Sequence, residues 1–227
     1  MVTRRRVLLP QRIFEEIEDR IVQRVYAPGT HLAEDEIASQ LGVSRTPVRE
    51  AFRMLSRAGW LVVQPHSGAY VRNPTMDEVR QVFEVRQTLE DRAARLAAGR
   101  ITEAEVKALR KIIETGSKEV GKGNAKQIAR WNSVFHAKIA EASRNQVLAR
   151  LLDDLAKQIQ WYFSAVATVR GVNSWHEHGD ILSAIGSGNA ERAGILAVEH
   201  SATTREVFFR QFLADEGGGS TQERTPS

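Results

Sequence analysis

Three histidines and one asparagine have the residue types and spacing to hold a metal ion. Asn132 and His136 lie four residues apart on a predicted helix, so their side chains share one face. His178 and His200 fall on the last two predicted helices, and side chains from different helices can converge inside a bundle core. Imidazole and oxygen ligands suit Zn²⁺, Ni²⁺ or Mn²⁺. A lone histidine on a helix is more often structural, but the four residues together favour a divalent-metal site.

The composition limits the other kinds of site. The 227 residues include no cysteine, so neither a disulfide framework nor thiolate metal ligands are available. The net charge of +4 permits nucleic-acid binding without requiring it, because binding depends on basic residues clustered on one face. No apolar run approaches the roughly 18 residues of a membrane span. The apolar segment behind the basic cluster at 4–6 is too short for a secretory signal. We therefore expect a cytoplasmic protein.

An arginine repeat in GVSRTPVREAFRML, residues 42–55, is the second group of residues that could bind a ligand. Arg45, Arg49 and Arg53 recur every four residues, which places them on one face of a helix. A guanidinium can bond phosphate, or the O6/N7 edge of guanine, through two N–H groups. Ser44 suits the N-cap, so Pro47 would lie in the first turn, where its missing N–H costs little. An arginine stripe alone is more often a solvated face, so the elements around it matter.

Helices and a hairpin are predicted around this stripe. A first helix is marked by apolar residues that step by four: Ile13, Ile17, Ile21 and Val25. A short second helix begins with acids at 34–36, which suit the positive end of the helix dipole, and ends at Gly42. Two β-prone runs, 60–63 and 69–71, surround a Pro/Gly turn and predict a hairpin after the arginine helix. Three small helices and a hairpin predict a winged helix-turn-helix, which favours DNA binding.

From residue 76 the apolar pattern is helical almost to the end of the chain. The predicted helices are 76–98, 102–120, 124–142, 145–168, 173–187 and 189–214, with a break at Gly171. Thr102 and Glu105 have the spacing of a capping box. The fold class is therefore mainly α, a winged helix-turn-helix at 1–72 followed, after a linker at 73–75, by an all-α helical bundle at 76–214. The Gly/Ser/Pro-rich tail at 215–227 is expected to be disordered.

Three ordered motifs in the first domain carry a family resemblance: PGTHL at 28–32, EIA at 36–38 and LGVSRTPVREA at 41–51. Together they resemble the DNA-binding domain of GntR-family bacterial transcription regulators over residues 10–72. The resemblance implies that DNA is contacted by Ser44, Arg45, Thr46 and Arg49 in the helix and by His66 and Gly68 in the wing. Arg53 is a candidate from the stripe alone. Ser67 stands where many relatives have arginine before the wing glycine.

Further motifs continue in the second half: EVR at 84–86 with LE at 89–90, Asn132 with FH at 135–136, EH at 177–178, and His200. They resemble the FCD effector domain of the FadR-type GntR subfamily, in its shorter, six-helix VanR-like form. In metal-binding members an Asp or Asn and three His hold the ion, and these positions match Asn132, His136, His178 and His200. Asn132 supplies a neutral oxygen in place of a carboxylate, which predicts weaker metal binding.

The resemblance also implies a small carboxylate effector, bound with the help of the metal. Arg86 is our candidate for a second contact to this carboxylate, since a guanidinium pairs well with it. The alternative role for Arg86 is an ion pair with Glu90 four residues on. Four aromatic residues either shape the pocket or, as is more common, pack in the core or a dimer interface: Trp131, Trp161, Tyr162 and Phe163.

These observations predict a ligand-responsive transcriptional regulator, and we expect a repressor. One short helix reads only a half-site, so a homodimer on a palindromic operator is expected. The alternative is a helical metalloenzyme with a DNA-binding appendage, because three histidines and an open position suit a hydrolytic centre. No carboxylate is obviously placed beside the histidines as a general base, which disfavours the enzyme. A constitutive DNA binder without an effector is disfavoured by the histidines and the large second domain.

Overall fold

A computed structural model describes residues 8–64 and 68–218 of the chain. The chain divides into two compact units between Thr75 and Met76. The first unit contains α1 (Leu9–Val22), β1 (His31–Leu32), α2 (Glu34–Leu41), α3 (Arg45–Arg57), β2 (Leu61–Gln64) and β3 (Gly68–Val71). The second contains α4 (Met76–Ala98), α5 (Glu103–Gly121), α6 (Ala125–Ala142), α7 (Gln146–Gly186) and α8 (Ala190–Gly218). The predicted fold class, mainly α with a small N-terminal sheet, is confirmed.

The core of the first unit is built from the apolar faces of its three helices. The buried residues of these faces include Ile13, Ile17 and Ile21 of α1, Ile37 of α2, and Val48, Ala51, Phe52 and Leu55 of α3. The four-residue spacing predicted this face, but the prediction was wrong for Val25, which is 63% exposed. The reason is that α1 ends at Val22, after which Arg24 adopts a positive φ of 57° and turns the chain out of the helix.

The strands of the first unit form one antiparallel sheet in the order β1-β3-β2. The hairpin of β2 and β3 is confirmed, whereas β1 was not predicted because a two-residue strand shows no alternating pattern. Gly68 opens β3 with a φ of 93°, and a Cβ there would lie 2.9 Å from the carbonyl oxygen of Leu32. The close approach of β1 therefore requires glycine at this position. The turn residues 65–67, which include His66 and Ser67, lie outside the described residues.

The second unit is a helical bundle in which α4 packs against α6, α7 and α8. The capping box at the start of α5 is confirmed, since the Thr102 hydroxyl accepts from the Glu105 N–H and Glu105 accepts from the Thr102 N–H. The predicted break at Gly171 appears as a bend inside α7, where φ is 31° and ψ is −125°. The bend divides α7 into two halves, so the five helices give six helical segments.

The last helix, α8, is longer than predicted. It continues to Gly218, so residues 215–218 are helical where we expected a tail, and the remaining 219–227 lie outside the described residues. Extending an existing helix adds one hydrogen bond for each residue fixed, so even a glycine-containing end can be helical. Across the described part of the chain, no helix is both long enough and apolar enough to cross a membrane.

Candidate functional site

The exposed face of α3 forms one wall of a groove in the first unit, which we call the arginine groove. It has a volume of about 560 Å³ and is lined by Arg45, Arg49 and Arg53 of α3, by Ala33, Glu34 and Asp35 at the start of α2, and by Phe52, Val63, Gln64 and Gly68. The three arginines of the stripe are therefore brought together beside the hairpin. Ser44 and Thr46 are exposed at the start of the same helix.

The start of α3 explains how a proline fits into this helix. Ser44 occupies the N-cap position with extended backbone angles, φ −77° and ψ 165°, although its side chain makes no capping hydrogen bond. Pro47 is then the third residue of the helix, where a backbone N–H has no helical partner to lose. The Ser44 hydroxyl and the Thr46 side chain are left exposed at the helix end, together with Arg45.

Two acids at the start of α2 pair with two of the arginines. Glu34 accepts from Arg49 through both oxygens, with Nε at 3.0 Å from Oε1 and Nη2 at 2.8 Å from Oε2. Asp35 forms an ion pair with Nε of Arg45. The hydrogen bonds from Arg49 lower the pKa of Glu34. The sequence indicated these acids only as residues suited to the helix dipole, because nothing in the spacing shows that α2 begins beside α3.

Three histidines from three helices meet inside the second unit, and we call them the histidine cluster. His136 lies on α6, His178 on α7 and His200 on α8. One possible ligand atom from each lies within 4.8 Å of the other two. Nε2 of His178 is 3.3 Å from Nε2 of His200. The structure thus brings together three residues that are far apart in the sequence, as the metal-site hypothesis required.

Carboxylates fix the orientation of two of these rings. Glu90 Oε1 lies 2.8 Å from Nδ1 of His136, and Glu177 Oε2 lies 2.7 Å from Nδ1 of His200. Glu177 also accepts from Arg170. With Nδ1 engaged, each ring is left with Nε2 for another partner, which is the usual arrangement of histidines that bind metals. The supporting role of both acids was not predicted from the sequence, although Glu177 precedes His178 and Glu90 follows Arg86 by one turn.

The charges in this region are balanced by local pairs. Burial alone would raise the pKa of Glu90, but the charge of Arg86 and the charge and hydrogen bond of His136 together outweigh it and hold the pKa at about 2. For Glu177, burial is likewise outweighed by the hydrogen bonds with His200 and Arg170, and the pKa is about 2. Burial lowers the pKa of His178 well below its ordinary value and that of His200 to about 4. Both rings are therefore neutral at pH 7, the form that binds a metal.

Asn132 completes a donor set that fits a divalent metal. Its side chain is almost fully buried, and its Oδ1 accepts no hydrogen bond from any described residue. A buried carbonyl oxygen without a partner costs roughly 1–3 kcal/mol, which a metal ion would offset. Asn132 and His136 line the same cavity one helical turn apart. Three imidazoles and one carbonyl oxygen match the ligand preferences of Zn²⁺, Ni²⁺ and Mn²⁺.

Arg86 lies beside His136 of the histidine cluster and also lines a cavity. It is 1% exposed. Its Nη2 is 3.2 Å from Nε2 of His136, and its Nε is 3.0 Å from Glu90 Oε2 at an angle unsuited to a hydrogen bond. Because a guanidinium only donates, Nε2 of His136 must accept here, so the His136 proton is on Nδ1. A metal on this Nε2 would need the same lone pair, so metal binding and the Arg86 contact exclude each other.

A cavity of about 380 Å³ opens beside Arg86 and His136. Its remaining lining comes from α4, α6 and the first half of α7: Glu90, Asn132, Ser133, Ala137, Ala140, Glu141, Ala149, Arg150, Leu152, Asp153, Ala156 and Ile159. This volume is in the range of small-molecule sites. Arg86 is a lining residue of this cavity, and its Nη1, which is itself buried, has no hydrogen-bond partner among the described residues.

The aromatic residues considered as pocket walls belong to the packing instead. Trp161, Tyr162 and Phe163 are each 1% exposed and do not line the cavity. Tyr162 lies near Phe208, with ring centroids 5.7 Å apart. Trp131 packs against the main hydrophobic core of the second unit. Alanine, leucine and isoleucine form most of the apolar cavity wall. The four aromatic residues therefore contribute to packing and do not line the cavity.

Comparisons with known proteins match both units. The family model described as bacterial regulatory proteins, gntR family, matches residues 9–71, and the FCD domain model matches residues 81–203. A relative from Paenarthrobacter nicotinovorans, a probable D-xylose utilization operon transcriptional repressor, is 31% identical over 84% of this chain and 82% of its own. The uncharacterized HTH-type transcriptional regulator YdhC of Bacillus subtilis is 27% identical over 79% of this chain and 82% of its own.

A solved structure with the same fold is that of E. coli McbR/YncC. It matches with a TM-score of 0.78 over 91% of this chain and 99% of the other, at 21% sequence identity. At this identity the match shows a shared fold.

Proposed function

This chain belongs to the GntR family of bacterial regulatory proteins and carries an FCD domain, and from this membership we propose a repressor whose hold on operator DNA is controlled by a small carboxylate. The family and the names of its relatives indicate a transcriptional regulator, not an enzyme. The metalloenzyme alternative is therefore set aside. The name of the Paenarthrobacter relative supports repression, and an operator as target places the protein in the cytoplasm.

The observation that carries the effector proposal is the position of Arg86. A fully buried guanidinium lines a cavity of about 380 Å³ and has a donor, Nη1, that no described residue accepts from. A guanidinium bonds a carboxylate strongly, often through two parallel N–H groups. The apolar part of the wall, which includes Ala140 and Ala156, would cover the carbon skeleton of a small organic acid. Arg86 would thus take both of the roles that the sequence left open, since it also pairs with Glu90.

Asn132, His136, His178 and His200 are the residues that would hold a divalent metal. A bound metal supplies a positive charge that a carboxylate oxygen can coordinate. Glu90 and Glu177 hold the His136 and His200 rings in position. Because Arg86 and a metal would compete for Nε2 of His136, a bound metal would leave Nη2 of Arg86 without its His136 partner.

The arginine groove is the proposed DNA-reading surface. Arg45 and Arg49, with Ser44 and Thr46 at the helix end, are exposed on one face of α3, as insertion into the major groove requires. Arg53 extends this face by one turn. Two copies of the chain would place two such helices on a palindromic operator. Effector binding would reduce DNA affinity only by favouring a state of the dimer that binds the operator less well.

A thermal-shift screen of small organic acids, with and without Zn²⁺, Ni²⁺ or Mn²⁺, tests the effector proposal. A ligand that binds only the native state raises the melting temperature, and we expect hits among carboxylates. The Arg86→Lys protein keeps the charge but loses the two-pronged donor. It should therefore bind each hit about tenfold more weakly, and each hit should raise its melting temperature less. Arg92→Lys on an exposed position of the same helix is the matched control. Carboxylate responses that are equal in both variants would exclude Arg86 from the effector site.

A further inference from the structure

Glu34 binds only one edge of the Arg49 guanidinium. The contacts run from Nε to Oε1 at 3.0 Å and from Nη2 to Oε2 at 2.8 Å. A guanidinium has five N–H groups, so both hydrogens of Nη1 and the second hydrogen of Nη2 remain available. The remaining hydrogen of Nη2 and the neighbouring hydrogen of Nη1 form a second edge of the planar group, the Nη edge.

The Nη edge, formed by Nη1 and Nη2, has the geometry for bonding a base. Guanine presents O6 and N7 in the major groove, and an arginine bonds both atoms through two parallel N–H groups. The Glu34 side chain is 26% exposed, against 55% for Arg49. The Glu34 side chain is therefore less free to move than that of Arg49, and it is held by a different helix, α2. An arginine held in this way loses less conformational freedom when it bonds a base than one that moves freely.

We propose that Glu34 is a positioning residue for sequence recognition: it holds Arg49 by the Nε edge so that the Nη edge reads a guanine in the operator. Asp35 has the same relation to Arg45, whose Nε forms the ion pair. The start of α2 thus aims two arginines of α3. This inference rests on the proposed DNA contacts of α3 and goes beyond them by assigning base discrimination to acids that carry the same charge as DNA.

A masking role makes the opposite prediction. If Glu34 only neutralised Arg49, its removal would strengthen binding to every duplex, since phosphate contacts carry no sequence information. If Glu34 aims Arg49, its removal lowers the preference for the chosen sequence while non-specific binding stays the same or rises slightly. The ratio of the two affinities separates these roles.

The experiment uses the full chain and a duplex selected by the wild-type protein from a random pool of double-stranded DNA. Fluorescence anisotropy gives affinities for this duplex and for a scrambled duplex of equal length and composition, at fixed salt. We expect Glu34→Gln to reduce the ratio of selected to scrambled affinity by about tenfold, the order of one bidentate base contact. Glu36→Gln removes the same charge from an exposed neighbouring position of α2 and should leave the ratio unchanged.

The Arg49→Ala background decides whether the effect passes through Arg49. There, Glu34→Gln should change the ratio no further. An unchanged ratio in Glu34→Gln, or an equal loss for both duplexes with a lowered melting temperature, would overturn the inference. If Arg49→Ala itself keeps the full ratio, Arg49 reads no base and the inference fails while DNA binding stands. If the wild type selects no sequence, the proposed DNA-reading function fails, and this inference fails with it.

Discussion

At the scale of single residues, Asn132 is the proposed metal ligand with the clearest chemical consequence. Its neutral Oδ1 stands where a carboxylate would add a negative charge to three imidazoles. We predict that Asn132→Asp raises the affinity for Zn²⁺ by at least about tenfold, because an anionic oxygen binds a divalent cation more strongly. Without metal the variant should be less stable than wild type, since the new carboxylate would be buried beside a cavity that the ionised Glu90 also lines. Calorimetric titration with Zn²⁺ and thermal unfolding measure the two effects.

Asn124→Asp is the matched control for this substitution. Asn124 caps the start of α6, the helix that carries Asn132, and its side chain accepts from the Gln127 N–H. Aspartate serves equally well at an N-cap, so neither Zn²⁺ affinity nor stability should change. An Asn132→Asp protein with unaltered Zn²⁺ affinity would show that Oδ1 is not a ligand.

At this scale the helix face of a residue was predictable from the sequence, whereas its side-chain partner was not. The four-residue spacing placed Arg45, Arg49 and Arg53 on one face, because the helical period alone decides that. The partnership of Arg49 with Glu34 was not predictable, since it depends on where α2 begins in space. For Arg86 the sequence offered two roles, and an i,i+4 ion pair does not exclude a cavity position. The roles of these residues in binding DNA, a metal and a small acid stay predictions.

At the scale of helices, Gly116 sets the distance between α5 and α7. A Cβ at this position would lie 2.0 Å from Cζ2 of Trp175. Trp175 is 2% exposed and its ring meets His178 edge to face at 4.8 Å, so the indole has no room to move away. We predict that Gly116→Ala destabilises the protein by about 1–3 kcal/mol, the usual cost of overpacking. Urea unfolding followed by tryptophan fluorescence measures the loss.

Gly121→Ala is the control on the same helix. Nothing lies within 4 Å of a Cβ at Gly121, and alanine favours a helix over glycine by up to about 1 kcal/mol. The two substitutions should therefore change stability in opposite directions or leave Gly121→Ala neutral. Equal stability of both variants would mean that α5 and α7 separate without cost.

Helices were predictable from the sequence where their ends carry chemical signals. The Thr102 capping box and the left-handed Gly42, whose φ is 64°, mark ends that residue types specify. The bend at Gly171 was predictable as a break, because a positive φ favours glycine. Its angle was not, since packing against α8 and the other helices determines how the two halves of α7 continue. The strand β1 was missed because pairing with β3, and no local pattern, creates it.

At the scale of the whole molecule, the proposed homodimer predicts how operator spacing matters. Two copies of α3 must enter major grooves on the same side of the duplex, and one helical turn is about 10–10.5 base pairs. Inserting five base pairs between the half-sites of a selected palindrome should therefore reduce affinity to that of a single half-site. Fluorescence anisotropy measures the loss, and light scattering should show two chains on the unaltered duplex.

A half-site duplex of the same total length is the control for this measurement. It should bind with the affinity of the duplex carrying the insertion. Full affinity for the duplex with five added base pairs would mean that each copy binds independently, and one chain per palindrome would exclude the dimer.

The bend in α7 separates residues that line the cavity from a residue of the histidine cluster. The first half of the helix supplies cavity walls such as Ala149, Leu152 and Ala156, while the second half carries His178 in the histidine cluster. Substitutions before Gly171 can therefore reshape the cavity without moving the cluster. Under the proposed function, a few substitutions along this half-helix would change which small acid the cavity accepts, while the proposed metal ligands would stay in place.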